Sequence, residues 1–177
     1  MKKMLPAALW LAVCALVLNG IRVLSAPLGE DRAFAEQQTL MAQLLPGSAV
    51  FLQESISDAH PNVQALYRGE RGFVAETALE GYVGPITLWI GVDNTGRVTG
   101  LTVRDLQETW GLGRRAAFDP HFLGQFLGST GFSAAGEDVD TLTGATVTSK
   151  AIAKSVNSAC AVVTGVDVSS GATEWEH

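Results

Sequence analysis

Ile86-Thr-Leu-Trp-Ile-Gly-Val92, then Asp93-Asn-Thr-Gly96, then Arg97-Val-Thr-Gly-Leu-Thr-Val103 is the stretch that decides the fold class. Its flanks are rich in β-branched and aromatic side chains, which fit a pleated, half-buried surface. Between them, Asp and Asn bond readily to their own backbone and Gly accepts positive φ, so the four residues read as a turn. The stretch predicts an antiparallel hairpin. Upstream, Val63 to Tyr67 and Phe73 to Leu79 flank Arg68-Gly-Glu-Arg-Gly72, a second hairpin-like pattern, and Gly81-Tyr-Val-Gly-Pro85 interrupts the chain between the two. Residues 48–105 therefore read as sheet.

Outside the sheet the apolar period is helical. Glu30 to Leu45 puts Leu40, Leu44 and Leu45 on one face, with Phe34 and Met41 close by, and Pro46-Gly47 stops it. Residues 106–119 read as a loop, Pro120 to Leu127 as a short helix and 128–139 as a further loop. Thr148 to Val163 is the last helix, with Ile152, Val156, Ala159, Cys160 and Val163 on one side and Gly165 at its end. An antiparallel-rich sheet flanked by helices makes an α+β domain. The expected organisation is a membrane segment at 1–26, a linking helix at 27–47, one domain at 48–165 and a polar tail at 166–177.

The 177 residues carry a formal net charge of −6. Lys2, Lys3 and Arg22 are the only charges before Glu30, so nine basic residues face all 18 acidic ones in the remainder. Nucleic-acid binding needs clustered Lys and Arg to neutralise phosphates, and that body excludes it. Its one basic doublet, Arg114-Arg115, reads as a solvated loop pair. Met4 to Leu24 is apolar enough for a single span if Asn19 and Arg22 sit near the far interface. The basic residues before it predict a cytoplasmic N-terminus and an exported body. A cleaved signal segment ending near Val23-Leu24-Ser25 is the rival reading, and it exports the body equally. Cys14 and Cys160 read as packing residues, with no partner at metal-ligand spacing.

The chemistry-bearing segment is Asp140-Thr-Leu-Thr143-Gly144-Ala145-Thr146-Val-Thr148-Ser149-Lys150. Gly and Ala let a bulky group approach the backbone closely. The hydroxyls of Thr143, Thr146, Thr148 and Ser149 offer a nucleophile and partners for a phosphate. The segment runs into a helix, whose first N–H groups and positive dipole end favour an anion. Read without further context, the segment is better explained as an ordinary Thr/Ser helix cap than as a phosphate-holding turn.

Asp-x-x-Thr-Gly-Ala-Thr followed by x-Thr-Ser resembles the flavinylation motif of the FMN-binding domain family, to which the G subunit of the Rnf ion-translocating electron transport complex and the C subunit of the sodium-translocating NADH:quinone reductase belong. Leu44-Leu-Pro-Gly47, Glu80-Gly-Tyr-Val-Gly-Pro-Ile86 and Gly91-Val-Asp-Asn-Thr-Gly-Arg-Val98 resemble further family segments in the same order. Glu108-Thr-Trp-Gly-Leu-Gly113 resembles a Glu-Thr-Pro-Gly-Leu-Gly loop, with Trp110 where the family has proline. Proline fixes φ and lacks an N–H, so the loop need not keep the family conformation.

The resemblance implies an FMN moved by a separate flavin transferase from FAD onto Thr146 as a phosphoester. Asp140, Thr143, Gly144, Ala145, Thr148 and Ser149 would surround the attachment point, and Thr109, Gly111, Leu112 and Gly113 would contact the flavin. It implies an electron-carrying subunit of a membrane oxidoreductase, with other membrane subunits as partners, on the outer face of the cytoplasmic membrane. No residue is then required as a general acid or base. A stand-alone exported FMN carrier, or a binding domain that has lost its flavin, are the alternatives. A Ser/Thr hydrolase is disfavoured, because His60, His121 and His177 sit in no nucleophile motif. Asp167-Val-Ser-Ser-Gly-Ala-Thr173 repeats the motif, but the acidic Glu174-Trp-Glu-His that follows suits neither a helix nor a phosphoester.

Overall fold

The computed structural model describes residues 14, 16–17, 32–56, 62–107, 112–136 and 138–166. The chain divides into two compact units, Met1–Thr39 and Leu40–His177. In the first, Cys14, Leu16 and Val17 are helical and exposed, and residues 32–39 begin a helix, α1, that continues to residue 44. The expected span Met4 to Leu24 otherwise lies outside the described residues. Among the described residues no helix is long and apolar enough to cross a membrane.

The second unit is built on five strands: β1 (Leu52–Glu54), β2 (Val63–Gly69), β3 (Gly72–Glu80), β4 (Pro85–Asp93) and β5 (Val98–Leu106). Each pairs antiparallel with its sequence neighbour, in the order β1-β2-β3-β4-β5. The hairpin at the centre of the sequence is β4–β5, and its turn is closed by Asp93. That carboxylate's Oδ1 accepts from Thr95 N at 2.8 Å, Thr95 Oγ1 at 2.6 Å and Arg97 N at 3.0 Å.

Alternation gives the sheet two different faces. Ile86, Leu88, Ile90 and Val92 of β4 turn one way, and on them lies α4 (Thr146–Thr164). That helix buries Ile152, Val156, Ala159 and Cys160 against the sheet, joined by Phe122 and Phe126, whose rings meet edge to face at 5.4 Å. Bulges at Val63/Ala65, Thr87/Leu88 and Gly91/Val92 keep the apolar side chains on this face despite the shifts in register. The opposite face carries a smaller cluster of Met41, Leu44, Leu45, Phe51, Val74 and Trp89. The Arg104 guanidinium stacks 4.2 Å above the Trp89 ring. Gly91 sits opposite Gly100, and Leu44's backbone rests on the flat spot they leave. A Cβ at Gly91 would lie 2.3 Å from Leu44 O, the same oxygen that accepts from Thr99 Oγ1 at 2.6 Å.

Besides the short helix at Pro120, which ends at Gly124 and not at Leu127, two expected boundaries change. Residues 106–119 are not all loop: Leu112–Phe118 forms helix α2, ahead of α3 (Pro120–Gly124). Arg114-Arg115-Ala-Ala is made of good helix formers, and Asp119-Pro120 supplies both a stop and the next start. The basic doublet is therefore helical, and Arg114 lies over the Phe118 ring one turn on, at 5.6 Å. The second change is at α4, which begins at Thr146 rather than Thr148.

Candidate functional site

Thr146 is the first residue of α4, and it is exposed. The turn that delivers it is set by Gly144 at φ 81°, where a Cβ would be strained, and by Ala145 N donating to Leu142 O at 2.9 Å. Leu142 packs into the main core. Its N–H points at Ser149 Oγ at 3.5 Å, a long contact across the turn. Asp140 is exposed, and its N–H donates to Gln125 Oε1 at 2.9 Å, which ties the motif to the end of α3.

The helix cap is Ala145, at φ −127° and ψ 31°, which has no side chain able to bond to the first N–H groups of α4. The expected Thr/Ser cap is absent. No acidic residue lies in the first turn either. The positive end of a 19-residue helix therefore points at an exposed hydroxyl with no carboxylate of its own to neutralise it. Thr143 and Gly144 share the exposed surface, while Ala145, Thr148 and Ser149 are buried. The last two hydroxyls thus lie inside the turn and not on the face Thr146 presents.

Beside this helix start is a cavity of about 510 Å³. Its apolar walls are Leu79, Pro85, Val147 and Ala151, and its polar walls are Asn62, Gln64, Glu80, Lys150 and Lys154. β3 and α4, which wall it, also carry Thr77 Oγ1 and Ser155 Oγ, buried without a partner among the described residues. Glu108, Thr109, Trp110 and Gly111 lie outside the described residues. The chain enters that segment at the cavity's rim, where Gln107 N donates to Pro85 O at 3.2 Å. It leaves in the first turn of α2, where Gly113 is buried and where α2 packs on α4 and β5. Leu112 belongs to that helix, and Thr173 lies outside the described residues.

Cys160 is no rival nucleophile. Burial, with a smaller contribution from the Asp93 charge, pushes its thiol up to about 12, so it stays protonated at neutral pH. Cys14 and Cys160 are both free.

Residues 81–161 match the FMN-binding domain family. Over the longer chain, the G subunit of an ion-translocating oxidoreductase complex from Salmonella typhimurium is 33% identical, across 73% of this chain and 74% of its own. The chain belongs to the family of these G subunits. Relatives of the same name are found in Vibrio parahaemolyticus, 29% identical across 84% of this chain and 83% of theirs, and in Methanosarcina acetivorans, 32% identical across 70% and 73%. The family match begins at Gly81 and ends at Ala161, so it takes in the β3–β4 turn, the 107–112 segment and the Thr146 turn together. Sequence reasoning does not identify Gln125 as the residue that pins Asp140, nor the cavity. Lys154 does leave a signal, since it stands two helical steps of four beyond Thr146.

Proposed function

We propose that this chain is an electron-transfer flavoprotein subunit of an Rnf-type ion-translocating complex, carrying FMN as a phosphoester on Thr146. The observation that carries this reading is the exposed Thr146 hydroxyl at an uncapped helix start within the matched FMN-binding region. The site fits the group. A phosphate there would meet the N–H end of a helix whose cap residue, Ala145, makes no side-chain bond to it, and a neighbouring cavity offers both apolar and polar walls.

In the attachment step, the Thr146 oxygen bonds to the FMN-side phosphorus of FAD. The anhydride bond breaks, AMP leaves, and the hydroxyl proton passes to solvent or to the transferase. The bound isoalloxazine supplies the redox chemistry, and this chain supplies position and electrostatics. Gly144 and Ala145 keep side-chain bulk away from the ester. Gln125 and Leu142 hold the turn in register. An N-terminal anchor at 1–26, a linking helix at 27–47 and a flavin-bearing domain at 48–165 would place the carrier on the outer side of the cytoplasmic membrane. Other membrane subunits of the complex would be its donor and acceptor, and the ester would keep the flavin from diffusing away.

The test is co-production with a flavin transferase, followed by a denaturing gel viewed under ultraviolet light. A fluorescent wild-type band, lost completely in Thr146→Ala and retained in Thr173→Ala, is the expected result. A dark wild-type band, or a Thr146→Ala band as bright as wild type, overturns the reading.

A further inference from the structure

Thr146, Lys150 and Lys154 are spaced by four residues and share one stripe of α4. Along the axis Lys150 is about 6 Å and Lys154 about 12 Å from Thr146, at ~1.5 Å of rise per residue. Both lysines line the 510 Å³ cavity whose near end is Val147, the neighbour of Thr146. Lys154 is exposed, and no carboxylate among the described residues pairs with it. Glu80 faces the same space from the end of β3.

We infer that this groove receives the ribityl chain and ring of the FMN esterified at Thr146, and that Lys154 and Glu80 set the flavin's redox potential with opposite signs. The inference rests on the Thr146 reading. The five-carbon ribityl chain is long enough to carry the ring past Lys150. Leu79, Pro85 and Ala151 offer apolar contact to a planar ring. Asn62 and Gln64 offer amides to its polar edge, and Asn62 is already oriented by its bond to Ser158 Oγ at 3.3 Å. Each electron the ring accepts adds a negative charge unless a proton follows. A nearby ammonium stabilises that charge and raises the potential, and a nearby carboxylate does the reverse. Both groups touch solvent, so salt weakens their effect.

The experiment uses the full-length chain, co-produced with a flavin transferase. Covalent flavin per chain is measured on a denaturing gel, and the midpoint potential by spectroelectrochemical titration at low salt. Lys154→Gln should lower the potential with flavin content unchanged. Lys154→Glu should lower it roughly twice as far, and Lys154→Arg should restore it. Glu80→Gln should raise it. In the native protein, Gln64→Trp should quench the flavin's fluorescence, and denaturation should release it. Loaded variants of Lys154 and Glu80 with the wild-type potential overturn the inference while leaving the Thr146 ester intact. A Gln64→Trp protein as bright as wild type also overturns it. A wild-type chain without covalent flavin overturns the Thr146 reading and this inference with it.

Discussion

The starts of α3 and α4 solve the same problem in opposite ways. α3 has only five residues, and its start is fully dressed. Asp119 accepts from His121 N at 2.9 Å and Phe122 N at 3.1 Å, and Pro120 takes the position where an N–H would be wasted. α4 has 19 residues, and its cap is an alanine. A helix of one turn cannot repay its own nucleation and leans on its cap. A helix with eleven buried residues is held by its body, and it can leave its first N–H groups for something else. What stabilises α4 lies away from the end that would do the chemistry.

The comparison can be broken at several points. The largest effect is expected from Ile152→Ala, which empties a fully buried position on α4 and should cost about 2–5 kcal/mol in urea denaturation. A loss below ~1 kcal/mol would mean that the body does not hold the helix. Asp119→Ala should cost about 0.5–2 kcal/mol, since it removes the α3 cap. Thr146→Asp is expected to act in the other direction. A carboxylate at the first position of α4 should stabilise the flavin-free protein by about 0.3–1 kcal/mol while abolishing covalent flavin. Destabilisation by Thr146→Asp would show that this helix start is already satisfied.

The smallest effect tests Asp93, which does for the β4–β5 turn what Asp119 does for α3. Burial alone would raise its pKa. The Thr95 hydroxyl, the N–H groups of Arg97 and Thr95 and the Arg97 charge together outweigh that and lower it below 3.8. Its ionised form is therefore preferred in the folded state. The stability it contributes is present above the unfolded carboxylate range and is lost as pH falls through the lowered folded value. Asp93→Asn should therefore lose a small amount of stability at pH 7 and flatten the acid limb, so that variant and wild type converge at low pH.

The hairpin around Asp93 is legible in the sequence because everything that specifies it is local: β-branched flanks, four turn residues, a period of two. α2 is not, because its seven residues, Leu112–Phe118, span about two turns and leave too little periodicity to count. The residue pattern starts α4 two positions late for a chemical reason. Thr148 and Ser149 look like caps in one dimension, and only the fold shows that both are buried. The Asp140–Thr146 motif is visible through its resemblance to a family. Its tie to Gln125 and the cavity shared by Glu80 and Lys154 come from tertiary packing, which brings together residues too far apart for any local pattern to connect.

The meander has a consequence in time as well as in space. β1 to β5 each pair with the next strand, so the sheet closes through short loops, whereas α4 must reach back to β3 across more than sixty residues. The packing of Leu142 against the core of sheet and α4 exists only once that return is made. A transferase that recognises the folded turn then modifies finished molecules alone, and flavin yield becomes a readout of folding quality. Across a series of core variants such as Ile152→Ala and Ile152→Val, flavin per chain should fall in step with the folded fraction. Full loading of a mostly unfolded variant would show that the transferase reads the bare sequence instead.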